Sequence, residues 1–157
     1  MVLKEGMNAP DFGLKDMHGD VFELDALNTD YSVVYFYPKD DTPGCTIEAN
    51  EFSSVLDDFK KLGVSVIGIS GGDEKSKKKF CEKNELRVTL LSDPEFKTCK
   101  NYKAYGEKKF MGRTYDGIFR ITYILDKDRK IIRVYEKVKA GGHAKEVLEF
   151  IMELNHE

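Results

Sequence analysis

Two short, continuous apolar runs, each followed by a helical pattern, constrain the fold of this chain most strongly. Ser32–Tyr37 and Val64–Ser70 are rich in β-branched and aromatic residues, which is typical of strands that are buried on both faces. Strands of this kind occur mainly in parallel sheets, where helices cover both faces. The sequence therefore predicts an α/β fold with a parallel central sheet.

The rest of the chain continues this alternation. Apolar residues at helical spacing extend from Cys45 to Phe59, and Gly63 is predicted to cap that helix. Later elements are predicted as helix, strand, helix, strand, strand and helix at Asp73–Asn84, Val88–Leu91, Pro94–Tyr102, Ile118–Asp126, Ile131–Tyr135 and His143–Asn155. Phe110, Met111 and Tyr115 are assigned to the loop before the second of these strands. A β-α-β unit followed by a β-β-α unit is the thioredoxin-like arrangement, here with an N-terminal extension and a strand–helix insertion.

Length and composition predict one globular domain over residues 1–157. Hydrophobic residues make up 41% of the chain and charged residues 34%, and the net charge is −3. Such a charge produces no basic field, so we expect no nucleic-acid partner. No apolar run approaches the ~18 residues of a membrane-spanning helix, so we expect no membrane association and a cytoplasmic location. Structural disulfides are rare in the cytoplasm.

The loop after the first buried strand leads to the candidate reactive residue, Cys45. Thr42 suits the N-cap of the following helix, and Pro43 suits its first position. Cys45 then lies in the first turn, where free N–H groups and the helix dipole favour an anion. The thiolate, which is the nucleophilic form, is therefore favoured. The alternative is an inert cysteine buried on the apolar stripe of the helix.

Two other site types fit this sequence poorly. A disulfide reductase of the thioredoxin type needs C-x-x-C at the helix start, and Cys45 is followed three residues later by Glu48. The histidines, His18, His143 and His156, are scattered and none has ligand spacing from a cysteine. We therefore expect neither a metal ion nor another cofactor.

Pro38, Thr42 and Cys45 form the pattern P-x-x-x-T-x-x-C, which is the signature of the peroxiredoxins. Residues 37–49, together with segments near 9–12, 91–94, 105–106 and 117–126, resemble the subgroup called peroxiredoxin Q or bacterioferritin comigratory protein. The resemblance covers nearly the whole chain. It implies a thioredoxin-dependent peroxidase that reduces hydrogen peroxide and organic hydroperoxides and is a monomer or weak homodimer. The alternative is a thioredoxin-like redox or binding module without peroxidase activity.

The resemblance also implies a role for each motif residue. Cys45 is the peroxidatic cysteine, which becomes a sulfenic acid. Thr42 hydrogen-bonds the peroxide together with the backbone N–H groups of Gly44 and Cys45, and Pro38 shields the sulfur from water. Arg120 is the active-site arginine that favours the thiolate. An arginine suits this task because its planar fork donates to two atoms at once.

Glu48 lies one turn after Cys45 on the predicted helix. It either orients an arginine or is an ordinary solvated carboxylate on the helix surface. The sequence alone does not decide between these two interpretations.

The thiol that resolves the sulfenic acid is a separate question. Many members of the subgroup carry it five residues after the peroxidatic cysteine, where this chain has Asn50. A second branch carries it at the helix that contains Cys81. The lysine run at residues 75–79 is predicted to be the solvated face of that helix, and nearby cations lower a thiol pKa. We therefore expect a Cys45–Cys81 disulfide, formed after the first turn of the Cys45 helix unwinds; Cys99 and an external thiol are the alternatives.

Overall fold

The structure is a computed structural model and describes residues 2–155. The elements follow the predicted alternation, with additions in the N-terminal and middle regions. In chain order they are β1 (Gly13–Lys15), β2 (Val21–Glu23), a 3₁₀ turn (Leu24–Ala26), β3 (Tyr31–Phe36), α1 (Pro43–Ser54), α2 (Leu56–Lys61), β4 (Val64–Ser70), α3 (Glu74–Asn84), β5 (Thr89–Ser92), α4 (Lys97–Asn101), β6 (Tyr105–Phe110), β7 (Arg113–Ile118), β8 (Ile121–Asp126), β9 (Ile131–Tyr135) and α5 (His143–Asn155).

Within residues 2–155, seven strands form a mixed sheet in the order β2-β1-β5-β4-β3-β8-β9. β3, β4 and β5 are parallel, and β8, β9, β1 and β2 are added in antiparallel pairings. Side chains alternate along β3, so Val33 and Tyr35 enter one core and Val34 and Phe36 enter the other. α1, α2, α3 and α5 pack into the first core and α4 into the second. The predicted thioredoxin-like α/β fold is confirmed.

The helix predicted from Cys45 to Phe59 is in fact two helices. Val55 leaves the helical conformation, with φ −106° and ψ 12°, and separates α1 from α2. Valine is stiff at χ1, which lowers its helix propensity slightly. Gly63 follows α2 with a φ of 72°, as expected of a helix C-terminal cap.

The loop predicted around Phe110, Met111 and Tyr115 is a β-hairpin. β6 and β7 pair antiparallel, and Met111 and Gly112 at positive φ make the two-residue turn between them. The three side chains are 66%, 87% and 49% exposed. Because the hairpin buries so little, its residues show no apolar alternation from which strands can be predicted.

The strand predicted over Ile118–Asp126 is also interrupted. Ile118 ends β7 and β8 begins at Ile121, so Arg120 lies in the bend between the two strands. Because Arg120 belongs to neither strand, its side chain does not have to follow the alternation of a sheet and can extend toward a neighbouring element. This position brings Arg120 to the start of α1.

Lys77, which was predicted on the solvated face of α3, is fully buried. Its Nζ donates to Asp40 Oδ2 at 2.9 Å and to Ser70 Oγ at 2.8 Å. The Asp40 carboxylate also accepts from the Tyr37 and Ser76 hydroxyls, each at 2.6 Å. Burial lowers the pKa of Lys77, although the charge of Asp40 opposes that change. The ammonium is tolerated in the interior because it is paired and hydrogen-bonded.

We expect Lys77→Met to lower the free energy of unfolding by about 3–5 kcal/mol, because the Asp40 carboxylate is left buried without its cation. The double variant Lys77→Met with Asp40→Asn should lose less free energy of unfolding, because it leaves no unpaired charge in the interior. Urea unfolding measures both. Lys83→Met is the matched control, because Lys83 pairs with Asp41 at the same 2.9 Å on the exposed surface and should contribute little. Equal losses in the single and double variants would contradict the explanation by charge.

Within the range 2–155, no helix has both the length and the apolar character that crossing a membrane requires.

Candidate active site

Cys45 lies in the first turn of α1, and only 2% of its surface is exposed. Thr42 occupies the N-cap position with an extended backbone, and Pro43 is the first helical residue, as predicted. The Thr42 carbonyl accepts the first helical hydrogen bond, from the Thr46 N–H at 2.8 Å. The N–H groups of the first turn have no partner within a helix, so this end of α1 favours an anion.

Arg120 reaches the same helix start from the bend before β8. Its Nη2 lies 3.4 Å from Cys45 Sγ, and its Nη1 donates to Glu48 Oε1 at 3.0 Å. Glu48 is fully buried, so it is not a solvated carboxylate on the helix surface. The structure supports the alternative, in which Glu48 orients an arginine. A guanidinium at this distance, in a largely buried site, stabilises a thiolate.

The residues around Cys45 leave room for this contact. A Cβ on Gly44 would lie 3.0 Å from Arg120 Nη2, so a side chain at residue 44 would push the guanidinium away. Thr42 Oγ1 donates to the Lys39 carbonyl at 3.0 Å, which leaves the lone pairs of the hydroxyl to accept from a ligand. Pro38 is half-buried at the end of β3. The structure therefore brings Arg120 to Gly44 and Cys45, and the Thr42 hydroxyl at the helix start keeps its capacity to accept a hydrogen bond.

Burial and neighbouring charges act in opposite directions on the pKa of Glu48 and on the pKa of Arg120. Burial raises the pKa of Glu48 to about 7, although Arg120 opposes the shift. Burial also lowers the pKa of Arg120, but Cys45 and Glu48 outweigh that effect and the pKa lies above its ordinary value. Arg120 is therefore charged throughout the physiological range, whereas Glu48 changes its charge near neutrality.

Glu48 should make the protein less stable as the pH rises from about 4.5 to about 7. Its carboxyl has a pKa of 4.5 as a free group and about 7 in the fold, so over this interval the folded state holds a proton that the unfolded state has lost. The free energy of unfolding then falls with increasing pH, by about 3 kcal/mol in total. Urea unfolding of the protein and of Glu48→Gln on both sides of this interval measures the effect. A difference between the two proteins that is independent of pH would contradict it.

Cys81 and Cys99 lie in different cores. Cys81 shares the core of Cys45 on one face of the sheet, whereas Cys99 belongs to the core on the other face. Burial raises the pKa of Cys81 to about 11, Asp40 adds to the shift, and Lys77 opposes it only in part. The expectation that the lysine run lowers this pKa is therefore wrong, because burial and Asp40 raise the pKa of Cys81 by more than Lys77 lowers it. Burial raises the pKa of Cys99 well above its ordinary value.

Tyr35 is a residue of this region that the sequence did not indicate. Burial raises the pKa of its hydroxyl well above 10, and negative charge on Glu48, Cys45 and Cys81 adds to the shift. In the described part of the chain, the hydroxyl is buried without a hydrogen-bond partner. Tyr35 stands within an apolar strand pattern, so no local signal separates it from its neighbours.

The histidines that the structure describes lie in different parts of the fold. His143 is buried at the start of α5, where its ring contacts Thr122 Oγ1 at 2.8 Å and Glu146 Oε1 at 3.0 Å. His18 lies in the turn between β1 and β2. His156 lies outside the described residues. Across positions 2–155, no group of three or more His, Cys, Asp or Glu side chains is arranged to hold a metal ion.

Comparisons with a family model and with known proteins point to one family. The model of the AhpC/TSA family matches residues 6–134. Peroxiredoxin Bcp from Escherichia coli strain K12 is 42% identical over 151 residues, which are 96% of this chain and 97% of that protein. Peroxiredoxin Bcp from Bacillus subtilis strain 168 is 37% identical over 155 residues, which are 99% of each chain.

Solved structures give the same result. Peroxiredoxin Q from Xanthomonas campestris matches with a TM-score of 0.85 and 34% identity over 90% of each chain. A cysteine-to-serine mutant of PrxQ from Xylella fastidiosa matches with a TM-score of 0.92 and 29% identity over 100% of this chain and 99% of that chain. A structure at 33% identity and a TM-score of 0.85 comes from work on the alkyl peroxide reduction activity of the X. campestris bacterioferritin comigratory protein. The chain therefore belongs to the AhpC/TSA family, and within it to the peroxiredoxins of the Bcp or peroxiredoxin Q group.

Proposed function

We propose that this protein is a thiol-dependent peroxidase in which Cys45 attacks the peroxide. The observation that carries the proposal is the Arg120 guanidinium 3.4 Å from a buried cysteine sulfur at a helix start. A fixed cation and free N–H groups stabilise the negative charge that develops when an O–O bond breaks. Alkyl peroxide reduction is named for the X. campestris relative, and we extend it to this chain with hydrogen peroxide and organic hydroperoxides as substrates.

The first chemical step consumes the peroxide. The Cys45 thiolate attacks one peroxide oxygen, the O–O bond breaks, and the other oxygen leaves and takes up a proton to form water or an alcohol. The sulfur becomes a sulfenic acid. Arg120 holds the thiolate and stabilises the leaving oxygen, while Glu48 keeps the guanidinium in place.

Other groups around the sulfur bind the substrate or limit the access of water. Thr42 accepts a hydrogen bond from the peroxide, since its own proton is donated to the Lys39 carbonyl. The N–H groups of Gly44 and Cys45 donate to the peroxide oxygens. Pro38 limits the access of water to the sulfur.

Cys81 then resolves the sulfenic acid. Its thiolate attacks the Cys45 sulfur, an S–S bond forms, the S–O bond breaks, and the hydroxyl leaves as water with the proton lost by Cys81. The shared core of Cys45 and Cys81 supports this pairing over Cys99, which lies across the sheet. Cys45 and Cys81 are free, buried and on different helices, and a disulfide requires Cα atoms within roughly 7 Å. We infer that the first turn of α1 unwinds on oxidation.

Thioredoxin or a similar dithiol protein reduces the disulfide and completes the cycle. The protein works as a single domain over residues 1–157, as a monomer or weak homodimer, and without a cofactor. Its location is the cytoplasm, where such reductants are present.

One experiment tests the peroxidase function and the resolving thiol together. The reduced protein, mixed with one equivalent of hydrogen peroxide, should consume it, and peptide mass mapping after alkylation should find Cys45 linked to Cys81 and Cys99 free. Unconsumed peroxide would overturn the peroxidase proposal and favour a binding module on this fold. Consumption with a Cys45–Cys99 bridge, or with no bridge, would overturn only the assignment of Cys81.

A further inference from the structure

The buried pair of Asp40 and Lys77 connects the two segments that carry the redox cysteines. Asp40 lies in the loop between β3 and α1, five residues before Cys45. Lys77 lies on α3, four residues before Cys81. Their side chains meet at 2.9 Å with 4% and 0% of their surfaces exposed. One ion pair therefore joins the chain five residues before Cys45 to the chain four residues before Cys81.

Asp40 is held more firmly than the residues that follow it in the loop. Asp40 receives four side-chain hydrogen-bond contacts, from Tyr37, Ser70, Ser76 and Lys77, at 2.6 to 3.5 Å. The next residue, Asp41, is exposed and has a positive φ of 60°, and its ion pair with Lys83 is also exposed. Few buried contacts therefore hold the chain directly beyond Asp40, which is where local unfolding begins most easily.

We propose that the Asp40–Lys77 pair is a common anchor, which stays in place while the segments beyond it unwind and bring Cys45 and Cys81 together. The proposal rests on the proposed function, in which Cys81 resolves the Cys45 sulfenic acid with loss of water. Asp40 and Lys77 touch neither the peroxide nor the sulfur atoms in this role. They are positioning residues for the resolution step.

The anchor keeps both thiols at the ends of short tethers. Tethers of five and four residues reach roughly 17 and 14 Å when extended, so the sulfur atoms can meet without movement of the sheet. Without the anchor, the nearest fixed points are the ends of β3 at Phe36 and of β4 at Ser70, and the combined tether is about twice as long. Because the effective concentration of tethered groups falls as about the 3/2 power of length, the resolution step should slow about threefold.

The test compares the double variant Asp40→Asn with Lys77→Met, which removes both charges, with the control Lys83→Met. Lys83 is also on α3 and pairs with a residue of the same loop, but on the exposed surface. The chain has no tryptophan, so quenched flow with thiol alkylation and intact mass measures the sulfenic acid, disulfide and sulfinic acid forms. We expect disulfide formation about threefold slower in the double variant, with the sulfinic fraction raised accordingly, and unchanged rates in Lys83→Met.

Hydrogen exchange of the unmodified protein gives a second test that needs no variant to fold. In the disulfide form, the Thr46 amide, which donates to the Thr42 carbonyl in the reduced form, should lose protection. The amides of Ser76 and Lys77, which donate to Asp73, and those of β3 should keep the protection of the reduced form. Equal loss of protection at Thr46 and at Ser76 and Lys77 overturns the anchor. A double variant that forms the disulfide at the unmodified rate also overturns it, as does a control variant that slows equally. A protein that forms no Cys45–Cys81 bridge overturns the assignment of Cys81 and the anchor with it. A bridge that forms independently of Asp40 and Lys77 overturns the anchor alone.

Discussion

Cys45→Ser is expected to consume hydrogen peroxide no faster than buffer does, a loss of at least about a thousandfold, the scale of nucleophile replacements in other enzymes. A serine hydroxyl is a far weaker nucleophile than a thiolate at neutral pH. The surroundings of residue 45 should be little changed, because serine is smaller than cysteine and the site lies at a helix start. The loss therefore measures the chemistry of the sulfur itself. Peroxide consumption with a dithiol reductant in excess gives the rate.

The other two cysteines supply matched controls. Cys99→Ser should keep the full rate, because Cys99 lies in the core across the sheet and burial raises its pKa far from neutrality. Cys81→Ser should complete the first turnover and accumulate the Cys45 sulfenic acid. Substantial activity in Cys45→Ser, or a loss in Cys99→Ser that exceeds its loss of folded protein, would contradict the assignment of the nucleophile.

The helix start around Cys45 could be predicted from the sequence because its determinants are local. Thr42 and Pro43 carry their own backbone preferences, and both occupy the predicted positions. Arg120 is 75 residues away from Cys45 in the chain. Only the family resemblance pointed to Arg120, because the bend that aims it at α1 depends on the hairpin before it. That hairpin is mostly exposed and leaves no periodic pattern.

Lys77 shows how a local pattern misleads. A run of lysines is ordinarily solvated, and the partner that permits burial of Lys77 is Asp40, which is 37 residues away. One signal was nevertheless present. Lys77 stands at helical spacing from Phe80 and Cys81, which are both buried, and so belongs to the inner face of α3. A charged residue on the inner face of a helix needs a partner of opposite charge. Asp40, in the loop before Cys45, is that partner.

Arg120→Met is expected to slow the reaction of Cys45 with peroxide about 10²- to 10³-fold, which is the usual cost of removing one preorganised donor from developing negative charge. Arg120 places a positive charge within hydrogen-bond distance of Cys45 Sγ, and its raised pKa keeps it charged at every working pH. Arg120→Lys should recover only part of the rate. A single ammonium cannot reproduce the two directed contacts that the guanidinium makes with Cys45 and Glu48.

The direct effect of Arg120→Met on the rate must be separated from its effect through Glu48. Glu48 loses its hydrogen-bond partner when Arg120 is removed. The double variant Arg120→Met with Glu48→Gln has no carboxylate to strand, so its stability should recover while its rate does not. The second-order rate constant of the first peroxide step, measured by quenched flow at equal folded concentration, distinguishes the two effects. Recovery of the rate in the double variant would mean that Arg120 acts only by balancing Glu48. A rate that stays low shows instead that the guanidinium acts directly on the sulfur and the peroxide.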